Sequence, residues 1–401
     1  MDTILVVNSG SSSVKFQVFG IDGGAVTQRL IKGQMSGIGT TPHLKADGTN
    51  GKPIIDQGYS AAEISDVSAA IQAAGTWLRE QFNILPIAVG HRIVHGGPDY
   101  DRPVLIDNDV LARLEQLICL APLHQPNNLA PIRSIRARNP DVPQIACFDT
   151  AFHRSHSAIA DHYALPEYYY EEGIRRYGFH GLSYEYIASQ LPEVAPDIAA
   201  KKVIVAHLGS GASMCALSGG RSVESSLGFT ALDGLPMGTR SGQIDPGVIL
   251  YLIGQKGMSA AAVERLLYHD CGLKGLSELS NDVRDLEASS AASAAFALDY
   301  FAYRAGLYVG MLAAALGGID AFIFTAGIGE NSASMRSRVA EKMAWLGVEI
   351  DPEANAAHAK LVSSRRSKIP VYRLATDEEM MIARHTVALL AGRTPKREKV
   401  A

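Results

Sequence analysis

The chain has 401 residues, more than one hydrophobic core usually serves, so two domains are expected. Its 47% apolar and 19% charged residues are those of an ordinary soluble globular protein. A formal net charge of -4 argues against a nucleic-acid or anionic-membrane surface as the main partner, so any cationic site must be local. Cys119, Cys147, Cys215 and Cys271 form no CxxC pair and stand in apolar contexts. That is the pattern of buried thiols in a reducing compartment, and neither zinc ligation nor disulfides are expected. No basic segment precedes a long apolar one at the start, and the weakly polar stretch 305–318 is too short and glycine-rich to span a bilayer. A cytoplasmic protein is expected.

Residues 4–7 form an apolar run that meets Asn8-Ser9-Gly10-Ser11-Ser12-Ser13, after which Val14, Phe16 and Val18 alternate with polar neighbours. This is a hairpin pattern with a ligand-gripping turn. Gly10 lets the backbone approach closely, hydroxyls crowd beside it, and the period of two puts Lys15 and Gln17 together on the face away from the core. Amides, hydroxyls and one ammonium suit a phosphate. The arrangement is no Walker loop, because no second glycine precedes Lys15 and the lysine lies in a strand. An ordinary serine-rich turn accounts for the same residues. A second copy of the device follows about half a chain later: an apolar run over 202–206, then His207-Leu208-Gly209-Ser210-Gly211-Ala212-Ser213, then an apolar stretch over 214–217. Two related halves facing each other across a nucleotide cleft would have this spacing, although little beyond the turn matches.

Between the hairpins, 33–58 is rich in turn residues and reads as further short strands. Val67, Ala70, Ile71, Ala74 and Leu78 follow helical spacing behind Ser65-Asp66, an N-cap signal. Residues 87–89 read as a buried strand that delivers the turn 90–97, with Arg92, at its carboxyl end, where α/β sheets bind ligands. A surface ion pair is the commoner fate of an arginine, but two histidines and flanking glycines argue against it here. Pro122-Leu123-His124-Gln125-Pro126 joins two helical patterns. Residues 144–148 form another buried strand ending at Asp149, a position that suits a metal or proton-transfer group and an N-cap equally. His153 and His156 read as structural, and His180, between Phe179 and Gly181, taken alone reads as a satisfied core residue.

In the second half, 234–247 is too rich in glycine and proline for regular structure, and such long loops are usually functional. Residues 280–284 precede an alanine-rich helix expected to run to Gly317-Gly318. The strand 321–325, the glycine turn 326–331 and a helix over 332–346 make an anion or nucleotide seat, although the third glycine of a dinucleotide fold is missing. Residues 370–374 form a strand, and Thr376 with Glu379 fits a capping box that opens the last helix. That capping explains the acidic cluster without a metal. The tail from Arg393 is charged and expected to fray.

Taken together, 8–16, 91–97, 148–153, 175–181, 207–213, 237–247, 327–331 and 376–379 resemble the acetokinase family of acetate and propionate kinases, with 8–16 and 237–247 as its specific signatures. The resemblance implies an α/β fold of two ribonuclease-H-like domains, of the acetate and sugar kinase, actin and chaperone-ATPase superfold, with a nucleotide cleft between them. Residues 1–150, joined by the C-terminal helix at about 380–401, would make the first domain. Residues 151–379 would make the second, nucleotide-binding domain. The resemblance also implies reversible, magnesium-dependent, direct in-line transfer of the ATP γ-phosphoryl group to acetate, giving acetyl phosphate and ADP. It further implies tolerance of manganese, a cytoplasmic homodimer and a functional link to a phosphate acetyltransferase.

Carried over by position, Arg92 would hold the acetate carboxylate, with Val94, Leu123, His124 and Phe179 around the substrate. His180 and Arg240 would stabilise the transferring phosphoryl, and Asp149 is the family's acid or base. Asn8 and Glu378 would hold magnesium. Lys15, Ser11, Ser13, His207, Leu208, Gly209, Ser210, Gly211, Asp282, Val283, Arg284, Gly327, Ile328, Gly329, Glu330 and Asn331 would contact ATP. A dissociative phosphoryl transition state needs positioned positive charge more than covalent chemistry, which agrees with most of these roles. Asp149 is the exception: acetate, with a pKa of roughly 4, is already an anion and needs no base, so orienting magnesium or Arg240 suits it at least as well. Period-two geometry puts Val94 on the side of Arg92, closing the pocket around the substrate methyl. Three positions depart from the family pattern: Ser210 in place of asparagine, Gln243 of aspartate and Asp377 of asparagine. The competing readings are a propionate or short-chain acyl kinase and a non-catalytic ATP-operated switch of the same superfold. Arg92, His180 and Arg240 argue against the switch.

Overall fold

Alternating apolar residues pair the amino end as expected: β1 (Asp2–Ser9) and β2 (Ser13–Asp22) form an antiparallel hairpin, closed by a hydrogen bond from Gly10 N to Ser13 O at 2.8 Å. The computed structural model describes residues 1–10 and 12–392, so the expectations placed on Ser11 and on the tail from Arg393 lie outside the described residues. The chain divides into two units, Met1–Ala151 with the stretch from Asp377, and Phe152–Thr376.

In the first unit β3 (Ala25–Ser36), β4 (His43–Gly48) and β5 (Pro53–Gly58) extend the hairpin as an antiparallel meander. On the other side of β1, β6 (Ala88–Ile93) and β8 (Gln144–Phe148) add in parallel and β7 (Val104–Leu105) ends the sheet, giving the order β5-β4-β3-β2-β1-β6-β8-β7. The helix Val67–Phe82 buries the five residues its spacing singled out against Val14, Phe16 and Val18. Asp66 caps it, accepting from Ala69 N at 2.8 Å. The last helix, Glu378–Leu390, packs on the opposite face. Gly90 makes that approach possible, because a Cβ there would fall 2.4 Å from Thr386 Oγ1 and 2.6 Å from Ile382 Cγ2.

In the second unit β9 (Lys202–Leu208) and β10 (Ala212–Ser218) form the second hairpin, extended by antiparallel β11 (Arg221–Ser225). Parallel β12 (Ala321–Thr325) and β13 (Val371–Arg373) lie on the other side, giving β11-β10-β9-β12-β13. The order matches β3-β2-β1-β6-β8 of the first unit, strand for strand.

Several expectations are corrected. Gln17 registers with Val6 and Val6 with Gly90, which places it on the face covered by the last helix. It is buried there, while Lys15 is exposed. The strand expected over 87–89 begins at Ala88 and runs through Ile93, so Arg92 belongs to a strand and not to a turn. The alanine-rich segment is two helices, Val283–Ala288 and Ala292–Leu316, separated by extended backbone at Ser289 and Ala291. Residues 327–331 lie inside a short helix, Ala326–Asn331, and the next helix covers only Ala333–Glu341. Cys119 is exposed and Cys271 half-buried, so only Cys147 and Cys215 are buried thiols. No described helix is long and apolar enough to cross a membrane.

Candidate active site

Three adjacent parallel strands of the first unit bring Asn8, Arg92 and Asp149 to their shared carboxyl ends. Arg92 donates to Asp149 at two points, Nε to Oδ1 at 3.0 Å and Nη2 to Oδ2 at 2.6 Å, and its Nη1 donates to Asn8 Oδ1 at 3.3 Å. Glu378 Oε2 lies 3.7 Å from Arg92 Nε, and Asn8 Nδ2 donates to Glu379 Oε1 at 3.4 Å. Burial opposes the charge on Arg92, but Asp149, Glu378 and Glu379 outweigh it and hold the guanidinium protonated. Burial pushes Glu378 up to about 7 against the pull of Arg92, with Asp149 and Glu379 adding to the rise and Lys15 opposing it. Asp149 thus engages an arginine.

The acidic pair reaches this cluster because the cap lies one residue later than the capping box placed it. Asp377, not Thr376, caps the last helix, accepting from Met380 N at 2.9 Å, and it pairs with Arg29. Val94 follows β6, is half-buried and stands outside the apolar cores. Its N–H donates to Asn128 Oδ1 at 2.9 Å, and Asn128 Nδ2 donates to Ser9 O at 2.7 Å. Asn128, missed in the sequence, therefore ties the loop after Arg92 to the end of β1. Its signal was an amide at helical spacing from Ile132 and Ile135 on the buried face of the helix Gln125–Arg138. His124 heads that helix, and Leu123 is exposed.

The second unit gathers different chemistry. His180, at φ 58°, heads the helix Gly181–Val194, and its ring stacks on His207 at the end of β9, centroids 4.2 Å apart. Its Nδ1 meets Ser213 Oγ at 2.7 Å, and the Tyr184 hydroxyl meets the same oxygen. His207 Nδ1 meets Ser183 Oγ at 2.8 Å, and Ser183 in turn meets Thr376 Oγ1 at 2.9 Å. Ser183, Tyr184 and Ser213 were also missed; Ser183 and Tyr184 follow His180 by three and four residues, the spacing of one helix face. Gly209 N donates to Gly211 O at 3.0 Å, and the missing Cβ of Gly209 would lie 3.9 Å from Gly327 N, so the turn abuts the start of Ala326–Asn331. Leu208 and Phe179 are core residues, and the Phe179 carbonyl meets His153 Nε2 at 2.9 Å. His153 and His156 share the Ser222 hydroxyl, as structural residues do.

Arg240 donates to Ala231 O at 3.2 Å from a loop that joins the turn through Gly238 N and Ser210 O, 3.2 Å apart. The same loop abuts Asn281, and Gln243 accepts from Arg304 Nη2 at 2.8 Å. Asp282 caps Val283–Ala288 and pairs with the exposed Arg284; hydrogen bonds from the Arg284 side chain and backbone draw its carboxyl down to about 2. Val283 is buried. Glu330 Oε1 accepts from Ala326 N at 3.0 Å and Thr376 N at 3.1 Å, and Asn331 Nδ2 donates to Gly327 O at 2.9 Å. Arg336, fully buried, donates to the carbonyls of Gly329 and Glu330 and so ties down the end of that helix. Among the described residues no group of three or more His, Cys, Asp or Glu stands ready for a metal.

Residues 3–384 match the acetokinase family. The chain is 64% identical over 394 residues to an acetate kinase of Nitrobacter hamburgensis, covering 98% of both. Its structure is similar to the crystal structure of Porphyromonas gingivalis acetate kinase, with TM-score 0.86, 35% identity and coverage of 97% of this chain and 100% of that one. It is similar also to the crystal structure of a propionate kinase from Francisella tularensis, with TM-score 0.89, 35% identity and coverage of 96% and 99%. The two mixed sheets are accordingly those of the acetate and sugar kinase superfold, and the chain belongs to the acetokinase family.

Proposed function

We infer that the protein is an acetate kinase, a phosphotransferase with a carboxyl acceptor. The observation that carries this is a half-buried guanidinium, Arg92, held at two points by Asp149 where three parallel strands end, with Asn8 and Glu378 beside it. A planar fork fixed in this way suits a small carboxylate. Arg92 receives acetate, with Val94 closing around the methyl group and Leu123 and His124 completing the surroundings. Asp149 orients Arg92; acetate arrives as an anion, and no proton has to be removed. An acetate oxygen attacks the γ-phosphorus in line as the bond to ADP breaks, and the same path runs backward from acetyl phosphate.

His180 and Arg240 stabilise charge on the transferring group. Lys15, Ser13 and the residues from His207 to Gly211 hold the phosphates, and 282–284 with 327–331 hold the nucleoside. The donors around Arg92 fit a divalent cation, because the Asn8 amide and the Glu378 carboxyl offer hard oxygens beside one another. Magnesium, or manganese in its place, would be held by Asn8 and Glu378 and would offset phosphate charge.

A homodimer fits a further feature, an exposed apolar stripe of Phe296, Tyr303, Leu307 and Met311 along Ala292–Leu316 that a second copy would cover. The product, an energy-rich acyl phosphate, suits onward transfer by a phosphate acetyltransferase. The function is tested with ATP, magnesium and acetate, trapping acetyl phosphate with hydroxylamine. Acetate-dependent hydroxamate is expected; ATP hydrolysis without hydroxamate above a no-acetate control would favour the ATP-operated switch.

A further inference from the structure

Behind each of the two stacked imidazoles lies a pair of hydroxyls. Ser213, fully buried on β10, has two hydrogen-bonding neighbours: His180 Nδ1 at 2.7 Å and the hydroxyl of Tyr184, itself fully buried. Ser183 and Thr376 stand in the same relation to His207 Nδ1. A serine hydroxyl has one proton to give. Between a phenol and an aliphatic alcohol the phenol is the better donor and the alcohol the better acceptor, which favours Tyr184 donating to Ser213. The Ser213 proton is then the one available to His180 Nδ1, accepted there by a bare nitrogen. In the neutral ring the remaining proton sits on Nε2.

That nitrogen faces the glycine turn. A Cβ on Gly211 would lie 3.3 Å from His180 Nε2, so the missing side chain is what lets the turn come this close to that nitrogen. The stacking agrees, because two near-parallel rings 4.2 Å apart, at 12°, repel if both are cations. The fold also fixes the ring at its base: His180 occupies a left-handed backbone position ahead of the helix that carries Tyr184 one turn on.

We propose that Tyr184 and Ser213 are positioning residues that hold His180 as the neutral tautomer with its proton on Nε2, aimed at the phosphate turn. His180 then donates to a developing phosphoryl oxygen from a fixed direction and without bringing a mobile charge. This rests on the reading of His180 as a phosphoryl-contacting residue, and the two can be told apart.

The test is 15N NMR of histidine-labelled full-length protein, with His180 identified by the signal lost in His180→Gln, alongside steady-state kinetics. In the wild type at pH 7.5, His180 should show a protonated Nε2 and an unprotonated Nδ1. Ser213→Ala should mix the tautomers and lower kcat about 10- to 100-fold, the usual cost of losing a group that orients a functional imidazole, with both KM values within about twofold. Ser213→Thr should restore both readouts. Tyr184→Phe, which keeps the packing, covers the case in which Ser213→Ala does not fold, and should shift the tautomer in the same direction. A wild-type proton on Nδ1, or a tautomer unmoved in both Ser213→Ala and Tyr184→Phe, would overturn the proposal. Full activity in His180→Gln would instead remove the role of His180 and leave the tautomer result standing.

Discussion

The two units solve one topological problem twice and put opposite chemistry on the result. In each, a hairpin is followed by parallel strands on the outer side of its first strand. The first unit places carboxylates and an amide around one arginine there; the second places stacked imidazoles and hydroxyls beside a glycine turn. The shared strand order supplies positions, and the residues at the strand ends supply the contrast; in the proposed division of labour the first set takes acetate and cation, the second the phosphoryl group and nucleotide. Substitutions in the two sets should therefore fail differently.

The largest loss is expected on the phosphoryl side. Arg240→Ala should lower kcat by about 1,000-fold or more, the scale of removing an arginine that meets transition-state charge, with a smaller effect on acetate KM. Comparable kcat in wild type and variant would take Arg240 out of the site. On the acetate side, Asp149→Asn leaves Arg92 with a weaker partner, and kcat/KM for acetate should fall on the order of 100-fold. Altered magnesium dependence without loss of an essential ionisation would agree with an orienting role. An ionisation present in wild type and missing from Asp149→Asn, at unchanged magnesium dependence, would restore the base.

Much of the fold behind this contrast could be read in the sequence. Both hairpins, the Asp66-capped helix and the strand before Asp149 follow from local period and capping. What could not be read depends on distant contacts. Gln17 is buried because a helix some 360 residues later covers it. The cap moved from Thr376 to Asp377 because Thr376 has a partner in Ser183 and Asp377 one in Arg29. The resemblance named Arg92, Asp149 and His180 one by one; only the structure pairs Arg92 with Asp149 and backs His180 with Ser213. Ser210, one of the departures from the family pattern, meets the Arg240 loop through its backbone carbonyl, which any side chain preserves.

Smaller effects sharpen the contrast. If Val94 closes the acetate pocket, one extra methylene is worth about 1–3 kcal/mol, and propionate should be used roughly 10 to 200 times less efficiently than acetate. Val94→Ala should narrow that ratio, chiefly through propionate KM, and a ratio that stays put would place Val94 outside the pocket. The smallest effect is on stability. Glu378 titrates near 7 in the fold against about 4.5 when unfolded, so the folded state keeps its proton through that window. Its contribution is therefore fully present below about 4.5 and lost as pH rises through about 7. Buried His91, drawn down to about 4 by burial against the hydrogen bond its Nε2 donates to Gln144 Oε1, works oppositely, its stability lost as pH falls from about 6.5 towards 4. The difference in Tm between wild type and Glu378→Gln, both without metal, isolates the glutamate. That difference should move against the wild type by a few degrees between pH 5 and 8, roughly 2–4 °C per kcal/mol for units of this size, and a flat difference would contradict the raised carboxyl.

The division of labour itself is tested most directly by measuring kcat, acetate KM and ATP KM side by side in Arg92→Ala and His180→Ala. The account predicts that Arg92→Ala lowers kcat/KM for acetate by about 100-fold or more, mostly through KM, and leaves ATP KM within about twofold. It predicts that His180→Ala lowers kcat with little change in acetate KM. Two variants that shift acetate KM, ATP KM and kcat in the same proportions would contradict it.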